Sequence, residues 1–239
     1  MDKVDILVIT AHPDDAELSC AGTILAHIAI GKKVGIVDLT RGEMGTRGTA
    51  ALRQEEAANA AKILGVAFRV NLNLADAFFV NDKEHQLEVI KVIRQYRPEI
   101  VLANAITDRH PDHGRGASLV RDAVFFSGLQ KIETQADGNE QEAWRPKSLY
   151  HAIQSNYVKP DIVVDISAHW EKKVQAIEAF RSQFYNPDSD EPDTFISSPE
   201  FMLFVEARAK ELGHAIGASY GEGFTVVKQI GIKSFFDIK

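Results

Sequence analysis

The chain has one cysteine, Cys20, among 239 residues, so no disulfide can form within it. Cys20 lies among Leu18, Ala21 and Gly22 and reads as a packed thiol, because a free cysteine behaves as a small hydrophobe. This usage suits a reducing compartment. No stretch approaches the ~20 apolar residues of a membrane span. The start, Met1-Asp2-Lys3-Val4-Asp5, has no basic region leading into an apolar run, and a cytoplasmic location is expected. There is no basic block either. Lysine and arginine number 27 against 34 acids, a formal net charge of −7, which argues against nucleic acid as a main partner. A few arginines can still build a local pocket for a small anionic substrate. No G-x-G-x-x-G follows the first apolar run, which weakens a nucleotide-binding or purely regulatory role. No shift of composition and no internal repeat divides the sequence. One domain over residues 1–239 is the expectation, long enough to bury a core without staples.

What is present is alternation. Strand-like runs fall near residues 4–10, 33–39, 67–72, 99–104, 148–153, 161–166 and 224–230. Helix-like patterns fall near 15–30, 49–64, 83–96, 112–127, 168–184 and 199–213. Val89, Val92, Ile93 and Tyr96 follow the i, i+3, i+4, i+7 rule, as do Leu18, Ala21, Gly22 and Leu25. The first two strands are near-continuous apolar runs, which suits strands covered on both faces. The pattern predicts an α/β fold, a Rossmann-like three-layer α/β/α arrangement with a mainly parallel sheet. Three stretches look irregular. Residues 41–48 carry three glycines and two arginines. Residues 130–147 are polar and contain the turn signal Asp137-Gly138-Asn139. Residues 185–199 hold Pro187, Pro192 and Pro199 with several acids, and suit a loop or lid near a site.

Two short clusters carry the chemistry: His12-Pro13-Asp14-Asp15 and His110-Pro111-Asp112-His113. Each lies just beyond a hydrophobic strand, where open α/β sheets bind ligands. Pro13 pushes His12 into an extended conformation and itself suits the opening of a helix. Asp14, Asp15 and Glu17 then fall in a first helical turn, where the dipole favours negative charge. Successive helical residues diverge by about 100°, so Asp14 and Asp15 cannot point the same way. One can bind a metal while the other addresses a water on that metal. Pro111 opens a second helix in the same manner, with His110 before it and His113 one turn on. His12, Asp15 and His113 would supply two nitrogens and one carboxylate, with a position left open. That is the pattern of catalytic rather than structural zinc. His110 and Asp14 are then free for proton work. His27, His85, His151, His169 and His214 have no comparable neighbours and are expected to be surface or core residues.

These residues resemble the LmbE-like, or PIG-L, family of zinc-dependent N-acetylglucosaminide deacetylases. The entry motif is Ala11-His12-Pro13-Asp14-Asp15-Ala16-Glu17, continued by Ala21-Gly22-Thr23. The loop from Leu39 through Arg41, Gly42, Gly45, Arg47, Gly48 and Thr49, with Arg53 and Glu56, is also similar. So are His110-Pro111-Asp112-His113 and Ser219-Tyr220-Gly221-Glu222-Gly223-Phe224. A narrower resemblance, to the bacillithiol-pathway branch acting on N-acetylglucosaminyl malate, lies in Lys159-Pro160-Asp161-Ile162-Val163-Val164-Asp165-Ile166-Ser167. Lys173 and Phe180-Arg181-Ser182-Gln183-Phe184 add to it. The resemblance implies one Zn2+ per chain on His12, Asp15 and His113, other divalent metals being possible. It implies Asp14 as general base, His110 as acid or oxyanion partner and Asp112 as a residue orienting a histidine. Arg53 is implied to contact substrate, and the branch suggests a homo-oligomer, possibly a hexamer.

The chemistry so implied is attack of zinc-activated water on an acetamide carbonyl, releasing acetate and a free glucosaminyl amine. Arg53 carries a modest clue of its own. If Thr49 caps its helix, a cation so near the start opposes the dipole by about 0.3–1 kcal/mol, which a functional pull or solvent screening could explain. Arg41, Arg47 and Arg109 are further candidates for a substrate carboxylate or sugar hydroxyls. Two rivals remain at this point. One is a deacetylase of another N-acetylglucosamine derivative. The other is a metal-dependent phosphoesterase, whose two-metal site usually needs more carboxylates than the sequence places here.

Overall fold

A computed structural model describes residues 3–237. Among these residues, nine strands and six α-helices follow in chain order. They are β1 (Ile6–Thr10), α1 (Asp15–Ala29), β2 (Val34–Thr40), α2 (Ala50–Leu64), β3 (Phe68–Leu74), α3 (Lys83–Tyr96), β4 (Ile100–Ala103) and α4 (Pro111–Phe126). Then come β5 (Gln135–Ala136), β6 (Asn139–Glu140), β7 (Ser148–Ala152), β8 (Ile162–Asp165), α5 (Trp170–Glu178), α6 (Pro199–Ala215) and β9 (Gly221–Val226). Seven strands form one sheet in the order β3-β2-β1-β4-β7-β9-β8. β1, β2, β3, β4 and β7 pair in parallel, and β9 runs antiparallel to both of its neighbours, β7 and β8. The expected α/β architecture with a mainly parallel sheet is what the chain adopts. None of the described helices is long and apolar enough to cross a membrane.

The period of two along β1 divides the core. Leu7 and Ile9 face α3 and α4 with Val89, Ile90, Ile93, Leu119 and Val120. Ile6 and Val8 face the other layer with Ala21, Ile24 and Leu25 of α1. Cys20 is buried there as a packed thiol. A third cluster joins α1, α2, α5 and α6 through Leu18, Ala60, Ile177, Phe180 and Phe201.

Sequence and structure part at three places. The helix expected over 168–184 ends at Glu178. Beyond it Phe180 and Phe184 turn into the third cluster, and the carboxylate of Glu56 takes the Ser182 N–H and hydroxyl, each at 2.7 Å. An external acceptor thus replaces a helical one. The last strand starts three residues earlier and ends four residues earlier than expected, with Gly221 packed against the backbone of Gly213, where a Cβ would come within 2.8 Å of its nitrogen. Residues 130–147 include the β5–β6 hairpin, turned by Asp137 and Gly138, both with positive φ (52° and 77°). This is the Asp-Gly turn chemistry that two-residue hairpins favour.

α1 is kinked. Cys20 has φ −147°, so the helical bonds across it are broken. The N–H groups of Gly22 and Thr23 donate instead to the two carboxylate oxygens of Glu222, at 2.9 and 2.7 Å. The carbonyl of Leu18, deprived of its helical donor, accepts from Nζ of Lys173 at 2.8 Å, and Lys173 also donates to Glu222 at 2.6 Å. The buried Lys173–Glu222 pair therefore caps both half-helices from the side. Glu222→Ala should cost about 3–5 kcal/mol, because it strands a buried ammonium as well as two amides. Urea unfolding measures this, and an unchanged midpoint would show that the kink needs no such cap.

Candidate metal centre and active site

β1 lies between β2 and β4, so chain connections leave its carboxyl end in opposite directions. That is the crevice where open α/β sheets bind ligands. His12 follows β1, and His110 caps α4 a few residues after β4, with Pro111 at the first helical position. The crevice holds a cavity of about 360 Å³ lined by His12, Asp14, Asp15, Arg53, Asp76, Arg109, His110 and His113 among others.

Asp15 is the hub. Its Oδ1 lies 3.0 Å from Nε2 of His113, and its Oδ2 lies 3.5 Å from Nδ1 of His12. Nδ2 of Asn104 and Nε2 of Gln154 each donate to the same carboxylate, at 3.1 and 3.0 Å. The outward nitrogens of both histidines meet carboxylates. Nδ1 of His113 is 2.6 Å from Asp108, and Nε2 of His12 is 3.1 Å from Asp76 and 3.3 Å from Asp112. Burial alone would raise the carboxyl of Asp15, but His113 and His12 hold it well below the usual range. Burial works to lower His113, yet Asp15 and Asp108 lift it to about 9.

Two overlapping groups bring ligand atoms within 4.8 Å of one another: His12 with His110 and His113, and His12 with Asp76 and Asp112. Their chemistry differs. Asp76 already accepts from the N–H of Met44 at 2.9 Å. Asp112 accepts from Ala77 N at 3.0 Å and from Arg115 at 2.6 Å. Both carboxylates meet Nε2 of His12 while accepting from other donors, as Asp15 does from Asn104 and Gln154. The expected trio of His12, Asp15 and His113 is linked pairwise through Asp15, at 3.5 Å to Nδ1 of His12 and 3.0 Å to Nε2 of His113, and is not one of those two groups.

Asp14 is set apart. It is the N-cap of α1 with φ 118° and ψ −25°, a conformation that costs a non-glycine residue about 1–3 kcal/mol. The strained turn sends its carboxylate away from Asp15 and onto Nη2 of Arg53, at 2.8 Å. Burial pushes its carboxyl up to about 7 against the pull of Arg53. Burial, with His12 and His113 nearby, lowers His110. Nδ1 of His110 accepts from the N–H of Asp112 at 3.3 Å, so the neutral ring carries its proton on Nε2.

The arginines separate. Arg53 and Arg109 line the cavity. The Arg109 guanidinium stacks 4.3 Å from the ring centre of Phe195, which brings the expected lid segment to the site along with Thr194 and Ile196. Arg47 is buried against Glu191 of that segment, 3.8 Å away, and is not among the cavity-lining residues. Arg41 is exposed and lines a separate cleft beside α2. Asp76, Asp108, Asn104 and Gln154 were not singled out in the sequence. Asp76 and Asn104 share one available signal, a position just past the end of β3 or β4.

A family model described as PIG-L, GlcNAc-PI de-N-acetylase, matches residues 7–124. A diacetylchitobiose deacetylase of Thermococcus kodakarensis is 32% identical over 195 residues, 77% of this chain and 71% of that one. A 4-oxalmesaconate hydratase of Pseudomonas putida is 27% identical, covering 74% and 73%. A probable N-acetyl-α-D-glucosaminyl L-malate deacetylase of Bacillus anthracis is 27% identical, covering 75% and 81%. The solved structure of a conserved protein from Thermus thermophilus superposes with a TM-score of 0.86 at 34% identity, covering 97% of this chain and 98% of that one.

Proposed function

The chain belongs to the PIG-L family, and from that membership we propose that it is a metal-dependent N-deacetylase of an N-acetylglucosaminide, with N-acetylglucosaminyl malate as the substrate and the whole chain acting as one domain. The observation that carries the reading is the Asp15 carboxylate lying between the inward nitrogens of His12 and His113, with Asp14 and His110 at its rim. A cation held by those three residues, zinc by preference, supplies Lewis acidity to the acetyl carbonyl and to the attacking water.

The chain's own groups do the rest. Asp14 takes the proton of the attacking water at its carboxylate and afterwards delivers it to the leaving amine. A carboxyl near 7 is matched to both tasks. His110, neutral with its hydrogen on Nε2, donates to the developing oxyanion, a contribution of about 3–4 kcal/mol when one such donor is removed elsewhere. Its lowered pKa favours this role over that of a protonated acid. Asp112 and Asp76 hold the ring of His12, and Asp108 holds that of His113. Arg109 at the cavity mouth has a guanidinium free to meet the malate carboxylates. The malate assignment draws on the similarity to the Bacillus anthracis protein and on the Lys159-to-Ser167 stretch. The same branch favours a hexamer.

Acetate release from N-acetylglucosaminyl malate, N-acetylglucosamine and its oligomers, with and without chelator, tests the reading. The malate conjugate is expected to react fastest, with activity lost to chelator and restored by zinc. Release from chito-oligomers alone would move the substrate to the chitobiose side of the family. A hydratase would release no acetate from any of them. Metal analysis separates the phosphoesterase rival: one ion per chain fits deacetylation, and two ions fit phosphoryl transfer.

A further inference from the structure

Resting on the ligand set of the proposed function, we propose that Asn104 is a positioning residue that limits Asp15 to one oxygen on the cation, its Oδ1. An ionised carboxylate offers about four lone-pair sites, two on each oxygen. Oδ2 of Asp15 accepts from the backbone N–H of His12 at 3.0 Å and from Nδ2 of Asn104 at 3.1 Å, so both of its sites are taken. Oδ1 accepts from Nε2 of Gln154 at 3.0 Å, which leaves one site on that oxygen. Nε2 of His113 stands 3.0 Å from the same Oδ1. The site left open is therefore on the oxygen nearest a second proposed ligand.

The fold fixes Asn104 in this role. It is the first residue beyond β4 and is buried, and Ala103 before it pairs with Ile9 of β1. Its Oδ1 accepts from the N–H of Ala11 at 2.7 Å, and its carbonyl accepts from Nδ1 of His151 at 2.8 Å. The bond to Ala11 settles which end of the amide is which. An oxygen must face that N–H, so the amide N–H faces the Asp15 carboxylate. The side chain thus ties the end of β1 to Asp15 in the first turn of α1. A catalytic zinc holds three protein ligands with one position open, and can take a fifth ligand in the transition state. A second oxygen of Asp15 on the cation would fill the place that the acetyl oxygen must enter. Gln154 differs in kind. Its Oε1 is buried without a donor among the described residues, and its Nε2 acts on Oδ1 of Asp15 alone.

The test loads the unaltered protein, Asn104→Ala and Gln154→Met with cobalt(II) in place of zinc and compares their visible absorption, which is strong for four-coordinate cobalt and weak for five-coordinate. The unaltered protein and Gln154→Met are expected to show strong bands and Asn104→Ala weak ones, because only the change at Asn104 frees Oδ2. With zinc at saturation, Asn104→Ala should also lose kcat for acetate release by about 10–100-fold, with KM changed less than about threefold. Strong bands in Asn104→Ala, or weak ones in the unaltered protein or in Gln154→Met, overturn the inference. Asn104→Ala also strands the N–H of Ala11, so a merely structural role would lower thermal stability and leave the spectrum of the folded protein unmoved. If that variant does not fold, Asn104→Asp, which keeps the acceptor for Ala11 and removes the donor to Asp15, decides by the same spectrum. Zinc held by Asp15→Ala as tightly as by the unaltered protein would overturn the ligand set and this inference together. An unaltered protein that shows strong bands but releases no acetate would count against the deacetylase reading, and the spectra of the variants would still decide the role of Asn104.

Discussion

Asp14→Asn should keep its metal and lose about 10²–10⁴ of turnover, the usual scale for removing a general base. The substitution is nearly isosteric, and the amide oxygen can still accept from Nη2 of Arg53, now 2.8 Å from the carboxylate. What disappears is the ability to take a proton. The other carboxylates near the cavity are poor substitutes. Burial would raise Asp76, but His12 and the N–H of Met44 bring it down to about 2. Asp112 is lowered by His12 and Arg115 after a similar opposing effect of burial, and Asp15 lies well below the usual range. Asp14 alone among them is pushed upward into the range where a group both takes and returns a proton near neutrality. The measurement is kcat alongside zinc content by plasma emission. Full activity in the asparagine variant would transfer the role to another group, and lost zinc would place Asp14 among the ligands.

The contrast between Asp14 and its neighbours also marks what a sequence can reveal. The motifs His12-Pro13-Asp14-Asp15 and His110-Pro111-Asp112-His113 were legible because proline fixes where each helix begins, and hydrophobic runs fix where each strand ends. Two adjacent acids at a helix start had to diverge, and in the structure they do. The divergence comes from a left-handed φ at Asp14 as well as from helical geometry, and nothing local announces such strain at a non-glycine residue. Asp76 and Asp108 were not legible. Each is a single acid in a loop, and each gains meaning only when the sheet brings it against a histidine 64 residues away in the first case and 5 in the second. Arg53 was legible as a cation near a helix start, but its acceptors at Pro13, Asp14 and Gly42 come from two other loops. The reversed direction of β9 was hidden for a related reason. A strand's pattern of apolar residues reads the same in both directions, so only pairing reveals it.

His113→Ala should abolish stoichiometric zinc, and with it all metal-dependent acetate release. Nε2 of His113 is one of the two nitrogens facing Asp15, and no other described side chain takes that place. Asn104 and Gln154 also touch Asp15, but through their amide nitrogens, which are donors and cannot ligate. Of the three proposed ligands one imidazole and one carboxylate would remain, too few for a catalytic zinc centre. Two milder variants make the result specific. Asp108→Asn, which weakens only the carboxylate behind the ring of His113, should lower zinc affinity by about 10–100-fold without emptying the site at saturating metal. His110→Ala should retain the ion, since its Nδ1 accepts from the Asp112 N–H and its proposed role is at the oxyanion. Titration with zinc under a competing chelator orders the three. If His113→Ala held a full equivalent of zinc, the ion would belong instead to the neighbouring group of His12, Asp76 and Asp112, on the other nitrogen of His12. Asp15 would then be a hydrogen-bonding partner rather than a ligand, and the distance from the cation to Asp14, on which the proton transfer depends, would have to be measured anew.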